Sequence, residues 1–241
     1  MSKTRTTVLA VLAALVVVIG LGVYWIARNL DGIVAHAIEK VGTQVAGVPV
    51  DVSGVTISIK DGKGEIRGLT IGNPPGFDSD YALKLSSITM TIDPGSISSD
   101  PVRIKQISVD GASLVAEIKA GTGINLAKIN DNLKSGGGQS APASGSSGPR
   151  IVIERFDFTN AGMTLKTQVA EEQTRKLGDV HVTGIGEGSG GATAAQVASQ
   201  LLAPILREAV KQARAGASDL GIEGYKQGAM DKLKDKLGIG N

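Results

Sequence analysis

Four stretches of the chain repeat one cadence: two apolar residues at alternate positions, a two-residue spacer, then two more apolar residues at alternate positions. They are Val50-x-Val52-x-x-Val55-x-Ile57, Leu83-x-Leu85-x-x-Ile88-x-Met90, Val102-x-Ile104-x-x-Ile107-x-Val109 and Ile151-x-Ile153-x-x-Phe156-x-Phe158. Alternation puts every second residue on one face of a strand, and branched and aromatic side chains suit a pleated surface. A helix would need spacings of three and four throughout. The spacer turns the second pair to the opposite face unless a β-bulge intervenes, which keeps one face apolar and bends the strand. Four strands bent alike predict a strongly curved sheet with one apolar side.

The pattern is also a repeat of sequence. Residues 101–114, PVRIKQISVDGASL, lie over 150–163, RIVIERFDFTNAGM, at a constant offset of 49, so that Ile104 matches Ile153, Ile107 matches Phe156 and Ala112 matches Ala161. Internal repetition points to stacked units with a continuous core. Around these strands, residues 29–46 carry Val34, Ile38, Val41 and Val45 at helical spacing, with Glu39, Lys40 and Thr43 on the other side. This predicts an amphipathic helix ended by Gly47 and Pro49. His36 falls on its polar side.

Asp61-Gly62 marks a hairpin between a strand at 48–60 and one at 65–71. Asn73-Pro74-Pro75-Gly76-Phe77 predicts a rigid loop, since two prolines cannot sit in a central strand. Strands are expected at about 81–93 and 101–118, and Asn125 caps a short helix carrying Leu126, Ile129 and Leu133. From Ser135 to Pro149 every residue except Gln139 is Gly, Ser, Ala or Pro, a flexible loop inside one β domain of 48–185. Strands at 150–159 and 162–169 are expected to form a hairpin across Asn160, followed by a strand at 176–184. The region 192–241 turns helical. A broad apolar stripe runs from Val197 to Ala213, with Pro204 inside it, and a weaker amphipathic helix follows at 219–237.

The first 28 residues differ in kind. Between Arg5 and Arg28 there is no charge, and Val8 to Ala27 is almost wholly apolar. About 20 such residues cross a bilayer core. Val8 and Leu15 would lie in it, Tyr24 and Trp25 at its interface, and Lys3 and Arg5 on the cytoplasmic side. The competing reading is a cleaved signal peptide ending at Gly20-Leu21-Gly22.

Composition narrows the function. With 25 basic and 23 acidic residues spread along the chain and 3% aromatics, the stacking platforms of single-strand nucleic-acid binders are missing. Zero cysteine excludes disulfides, thiolate catalysis and thiolate metal sites. His36 and His181 lie far apart without a carboxylate pair beside either. Glu171-Glu172 reads as a solvated loop, and Gly186-x-Gly188-x-Gly190 lacks the lysine and βαβ context of a phosphate loop. The sequence therefore predicts no enzyme, no cofactor and no metal.

Several of these residues resemble the N-terminal part of AsmA-like proteins, a family of inner-membrane-anchored periplasmic proteins. The likeness rests on Gly-Val-Pro-Val-Asp-Val (47–52), Gly-Glu-Ile-Arg-Gly-Leu-Thr-Ile-Gly-Asn-Pro-Pro-Gly-Phe (64–77), Ile-Asp-Pro (92–94), the Ile-x-x-Ile-x-Val-Asp-Gly strand at 104–111 and Asn125-Leu126. It covers about residues 5–185, and its most specific piece is Leu69 to Phe77. The resemblance implies a single-pass inner-membrane protein with its bulk in the periplasm, and larger members are thought to carry phospholipid along curved β-grooves. This chain is short and ends in helices.

Together these readings give a mainly β fold: a transmembrane anchor, a curved antiparallel β-groove and C-terminal amphipathic helices. Two functions follow. In the first, the groove binds membrane lipid against Val55, Ile57, Ile59, Leu83, Leu85, Ile88, Met90, Ile104, Ile107, Val109, Ile153, Phe156 and Phe158. About eight strands at 4.8 Å spacing would make that groove near 40 Å long. In the second, the stripe at 197–213 packs into the hollow, and the chain is an envelope assembly or scaffold protein that meets other proteins through its C-terminal helices.

Overall fold

The structure is a computed structural model that describes residues 29–136 and 148–219. The anchor residues Val8, Leu15, Tyr24 and Trp25, most of the Gly/Ser-rich stretch and the helix expected at 219–237 lie outside the described residues. Among the described residues three α-helices, α1 (29–46), α2 (Asn125–Gly136) and α3 (Ala194–Asp219), accompany one mixed sheet. Its strands are β1 (Val50–Ser58), β2 (Lys63–Ile71), β3 (Leu83–Ile92), β4 (Val102–Asp110), β5 (Ser113–Lys119), β6 (Gly123–Ile124), β7 (Ile151–Thr159), β8 (Gly162–Thr167), β9 (Gln173–Lys176) and β10 (Val180–Ile185).

Register reduces this to six long ribbons and the short β6. β4 and β5 lie end to end along one edge of β3, as Ile88 faces Val109 and Leu83 faces Leu114. β7 and β8 lie end to end beside them, and β10 with β9 forms the last ribbon. The order is therefore β1, β2, β3, β4/β5, β7/β8, β10/β9. At about 4.8 Å per step, six ribbons span roughly 24 Å, well short of the 40 Å expected for eight separate strands.

Two expectations change here. The sheet is mixed and not antiparallel throughout, because 102–119 and 151–167 run parallel. Their register keeps the offset of the sequence repeat, with Ile104 beside Ile153 and Leu114 beside Met163. The two copies thus lie side by side as if translated, and a parallel pair needs a crossover, for which α2 and the stretch after it supply the chain. The hairpin across Asn160 does not form. Residues 151–159 and 162–167 are two halves of one ribbon with a single left-handed residue between them, Asn160 at φ 54°.

Each ribbon changes step at the same row. Inward residues two apart become three apart between Val52 and Val55, Ile66 and Leu69, Leu85 and Ile88, Val109 and Ala112, Phe158 and Ala161, and Leu177 and Val180. Gly68, Gly111 and Asn160 on this row all have positive φ, at 59°, 74° and 54°. A residue with a Cβ pays about 1–2 kcal/mol for that conformation, least when it is Asn. A second row of three-residue steps crosses 104–107, 153–156 and 182–185. The spacers seen in the sequence therefore mark creases that neighbouring ribbons share, rather than a bulge in each strand. One register shift remains, between Thr91 and Ile92, where β3 lacks the extra residue that β4 has at Lys105.

α1 runs along the free edge of β1. Backbone N–H groups of Val50, Val52 and Ile57 donate to Thr43 Oγ1 at 3.0 Å, Glu39 Oε1 at 3.1 Å and Asp31 Oδ1 at 2.9 Å. Glu39 and Thr43 thus serve the sheet edge, where the helical pattern alone put them on the solvent side. Val34, Ile38 and Val41 pack on the core, Val45 and Ala46 are buried, and His36 is exposed.

Candidate functional site

The apolar rows of the six ribbons converge on one interior. One row reads Val55, Ile66, Ile88, Val109, Phe158, Val180, and the next Ile57, Gly64, Met90, Ile107, Phe156, Val182. Beyond the second crease, Ile92, Ile104, Ile153 and Ile185 continue it. Leu83 and Leu85 lie across the first crease on the same face. The structure thus brings together every groove residue the cadence singled out except Ile59, which follows the end of β1 and is 42% exposed.

That interior is occupied. Leu83, Leu85, Ile88, Ile107, Val109, Ile153, Phe156 and Phe158 are all buried, the last two to 3% and 0% exposure. α3 lies over β5, β7, β8 and β10 and packs on α2. It buries Ile205, Leu206, Ala209, Val210 and Ala213, while α2 contributes Leu126, Ile129 and Leu133. Close approach of α3 requires Gly216, because a Cβ there would stand 2.6 Å from Leu165 Cδ2. At the far end, Ile57, Met90 and Ile104 are only partly covered, as are Val197, Leu201 and Leu202 in the first half of α3.

The opposite face is polar along its rows. One reads Thr56, Glu65, Thr89, Ser108, Asp157, His181, and the next Ser58, Lys63, Thr91, Gln106, Arg155, Thr183. A shallow depression of about 420 Å³ lies among the first four residues of each. At the end of the first row, Asp157 accepts hydrogen bonds from Arg155 Nε (2.7 Å), His181 Nδ1 (2.7 Å) and Gln106 Nε2 (2.9 Å). The bonds from Arg155 and then His181 outweigh desolvation and lower its carboxyl to about 2. Sequence reading found no carboxylate pair beside His181. Strand pairing supplies one carboxylate 24 residues away.

A second polar cluster holds the Pro-Pro loop. Glu117 is 2% exposed. Its carboxylate accepts from the backbone N–H of Asp78 (3.0 Å) and Ser79 (2.8 Å), from Ser79 Oγ (2.6 Å) and, at 3.3 Å, from Lys119. Desolvation pushes this carboxyl up, but the Ser79 hydroxyl, the two backbone donors and Lys119 together win, and it falls to about 2. Asn125 joins in, bonding Leu126 N–H, Glu117 N–H, Asn73 Oδ1 and Val115 O. Both oxygens of Glu117 accept from the loop, and one also meets Lys119, so the cluster clamps the loop to β5.

Among the described residues, no group of three or more His, Cys, Asp or Glu is placed to hold a metal ion, and no helix is long and apolar enough to cross a membrane. Compared with family models, curated proteins and solved structures, the chain matches none.

Proposed function

We propose that this protein is a non-enzymatic, membrane-anchored scaffold of the cell envelope whose β-trough is filled by its own C-terminal helix. The observation that carries this reading is that Ile153, Phe156 and Phe158 are buried in one core with Leu206, Ala209, Val210 and Ala213 of α3, a helix that lies against β7. An acyl chain would have to displace α3 from them. Exposing apolar surface to water costs about 25 cal/mol per Å², so a standing vacancy is unfavourable and the helix is the occupant at hand. The anchor at 8–27 and the AsmA-like resemblance support the envelope location.

The test is phospholipid analysis of the full chain after gentle detergent extraction. Less than one phospholipid for every ten chains is the expected result, together with aggregation when 192–241 is deleted. A second reading, lipid binding, is favoured by the partly covered Ile57, Met90 and Ile104 and the exposed Ile59. Near one lipid per chain, lost on Met90→Trp, would replace the scaffold reading with this one.

A further inference from the structure

The two outer ribbons of the sheet end differently. On β1 the edge is closed by three side chains of α1. Among the described residues, no helix or loop donates to or accepts from the outer edge of β10 (Val180–Ile185). Exposed edges are ordinarily protected by lysine, proline or a covering element. Residues 177–185, LGDVHVTGI, hold neither lysine nor proline, and their one carboxylate, Asp179, accepts from the Asn160 N–H of its own chain.

The same stretch is self-complementary. Turned end for end about His181, Val180 meets Val182, Asp179 meets Thr183, Gly178 meets Gly184 and Leu177 meets Ile185. The inward residues of one strand thus oppose inward residues of the other, and polar residues oppose polar ones. Gly178 and Gly184 lie on the two crease rows, so an end-for-end turn exchanges the creases without conflict. The core rows that now stop at half-buried Val180 and Val182 would continue into a second trough.

We propose that this edge pairs antiparallel with the same edge of a second copy of the chain, about a two-fold axis at His181. The inference goes beyond the scaffold reading and holds whether the trough carries lipid or its own helix.

The chain has no cysteine, which makes the test direct. In an antiparallel pair the residue on the axis faces itself with Cβ atoms about 5 Å apart, within reach of a disulfide after small adjustment. Thr183 would lie about 14 Å from its own copy, four residues along the strand at roughly 3.4 Å per residue. Full-length His181→Cys, solubilised in detergent and mildly oxidised, should give a covalent dimer, at least about ten-fold more than Thr183→Cys alone. A mixture of Asp179→Cys and Thr183→Cys chains should couple. Unsubstituted protein should show a concentration-dependent dimer in sedimentation equilibrium. A monomer at every concentration, or equal coupling at His181→Cys and Thr183→Cys, overturns the proposal.

Discussion

Glu117 is a carboxylate removed from water and then surrounded by donors, and the donors prevail. Its folded acidity lies below the usual carboxylate value of 4.5, at about 2. A carboxyl depressed in the folded state adds stability above its unfolded value, and that stability is lost as pH falls towards the folded one. Denaturant midpoints should therefore be level above about 5 and drop between pH 4.5 and 2. Asp157 adds to the loss in the lower part of that window, between 3.8 and about 2. Glu117→Gln would aim an amide N–H at donors and leave Lys119 without its buried partner, a cost of about 2–3 kcal/mol at neutral pH. The acid-induced drop should shrink in that variant, as urea melts at several pH values would show. Asn125 as a helix start and the loop at Asn73 to Phe77 were legible in the sequence. The pairing of Asp157 with His181 was not, because two residues on non-adjacent segments meet only once register is known.

At the scale of elements, the sequence repeat carried more than its cadence. The offset of 49 that aligns 101–114 with 150–163 is also the register in which those segments pair. What the repeat concealed was the role of Asn160. A left-handed Asn between two apolar runs resembles a tight turn, yet a single such residue only creases a ribbon. Gly111 occupies the same place in the other copy, and a Cβ there would meet no atom within 4 Å, so its substitution isolates the backbone effect. Gly111→Asn should cost less than about 1 kcal/mol and Gly111→Val about 2 or more, since β-branched residues are least tolerant of positive φ. The seating of α3 can be tested the same way. Gly32→Ala in α1 has open space and should stabilise by roughly 0.5–1 kcal/mol through helix propensity. Gly216→Ala should destabilise instead, because Leu165 beneath it is fully buried and cannot step aside. Thermal melts of both variants decide this.

For the whole molecule, alternation told which residues share the interior, and all of them but Ile59 do. Alternation could not tell what covers them: an apolar stripe on a helix pairs with an apolar sheet face equally well in one chain or against a ligand. The structure answers with α3, and Leu206→Ala, at a site 1% exposed, should cost about 2–5 kcal/mol in denaturant unfolding. Ribbon direction was equally hidden, since parallel and antiparallel neighbours carry the same two-residue period.

The shared crease row also governs how such a chain can change length. Deleting one residue inside a ribbon, Thr89 for example, would throw that ribbon out of step with both neighbours and flip its downstream side chains. Duplicating the whole unit 102–150 would keep step, adding a further translated copy and widening the molecule by about 4.8 Å. Growth by entire modules is therefore open to this architecture, whereas single-residue length drift within its ribbons is closed.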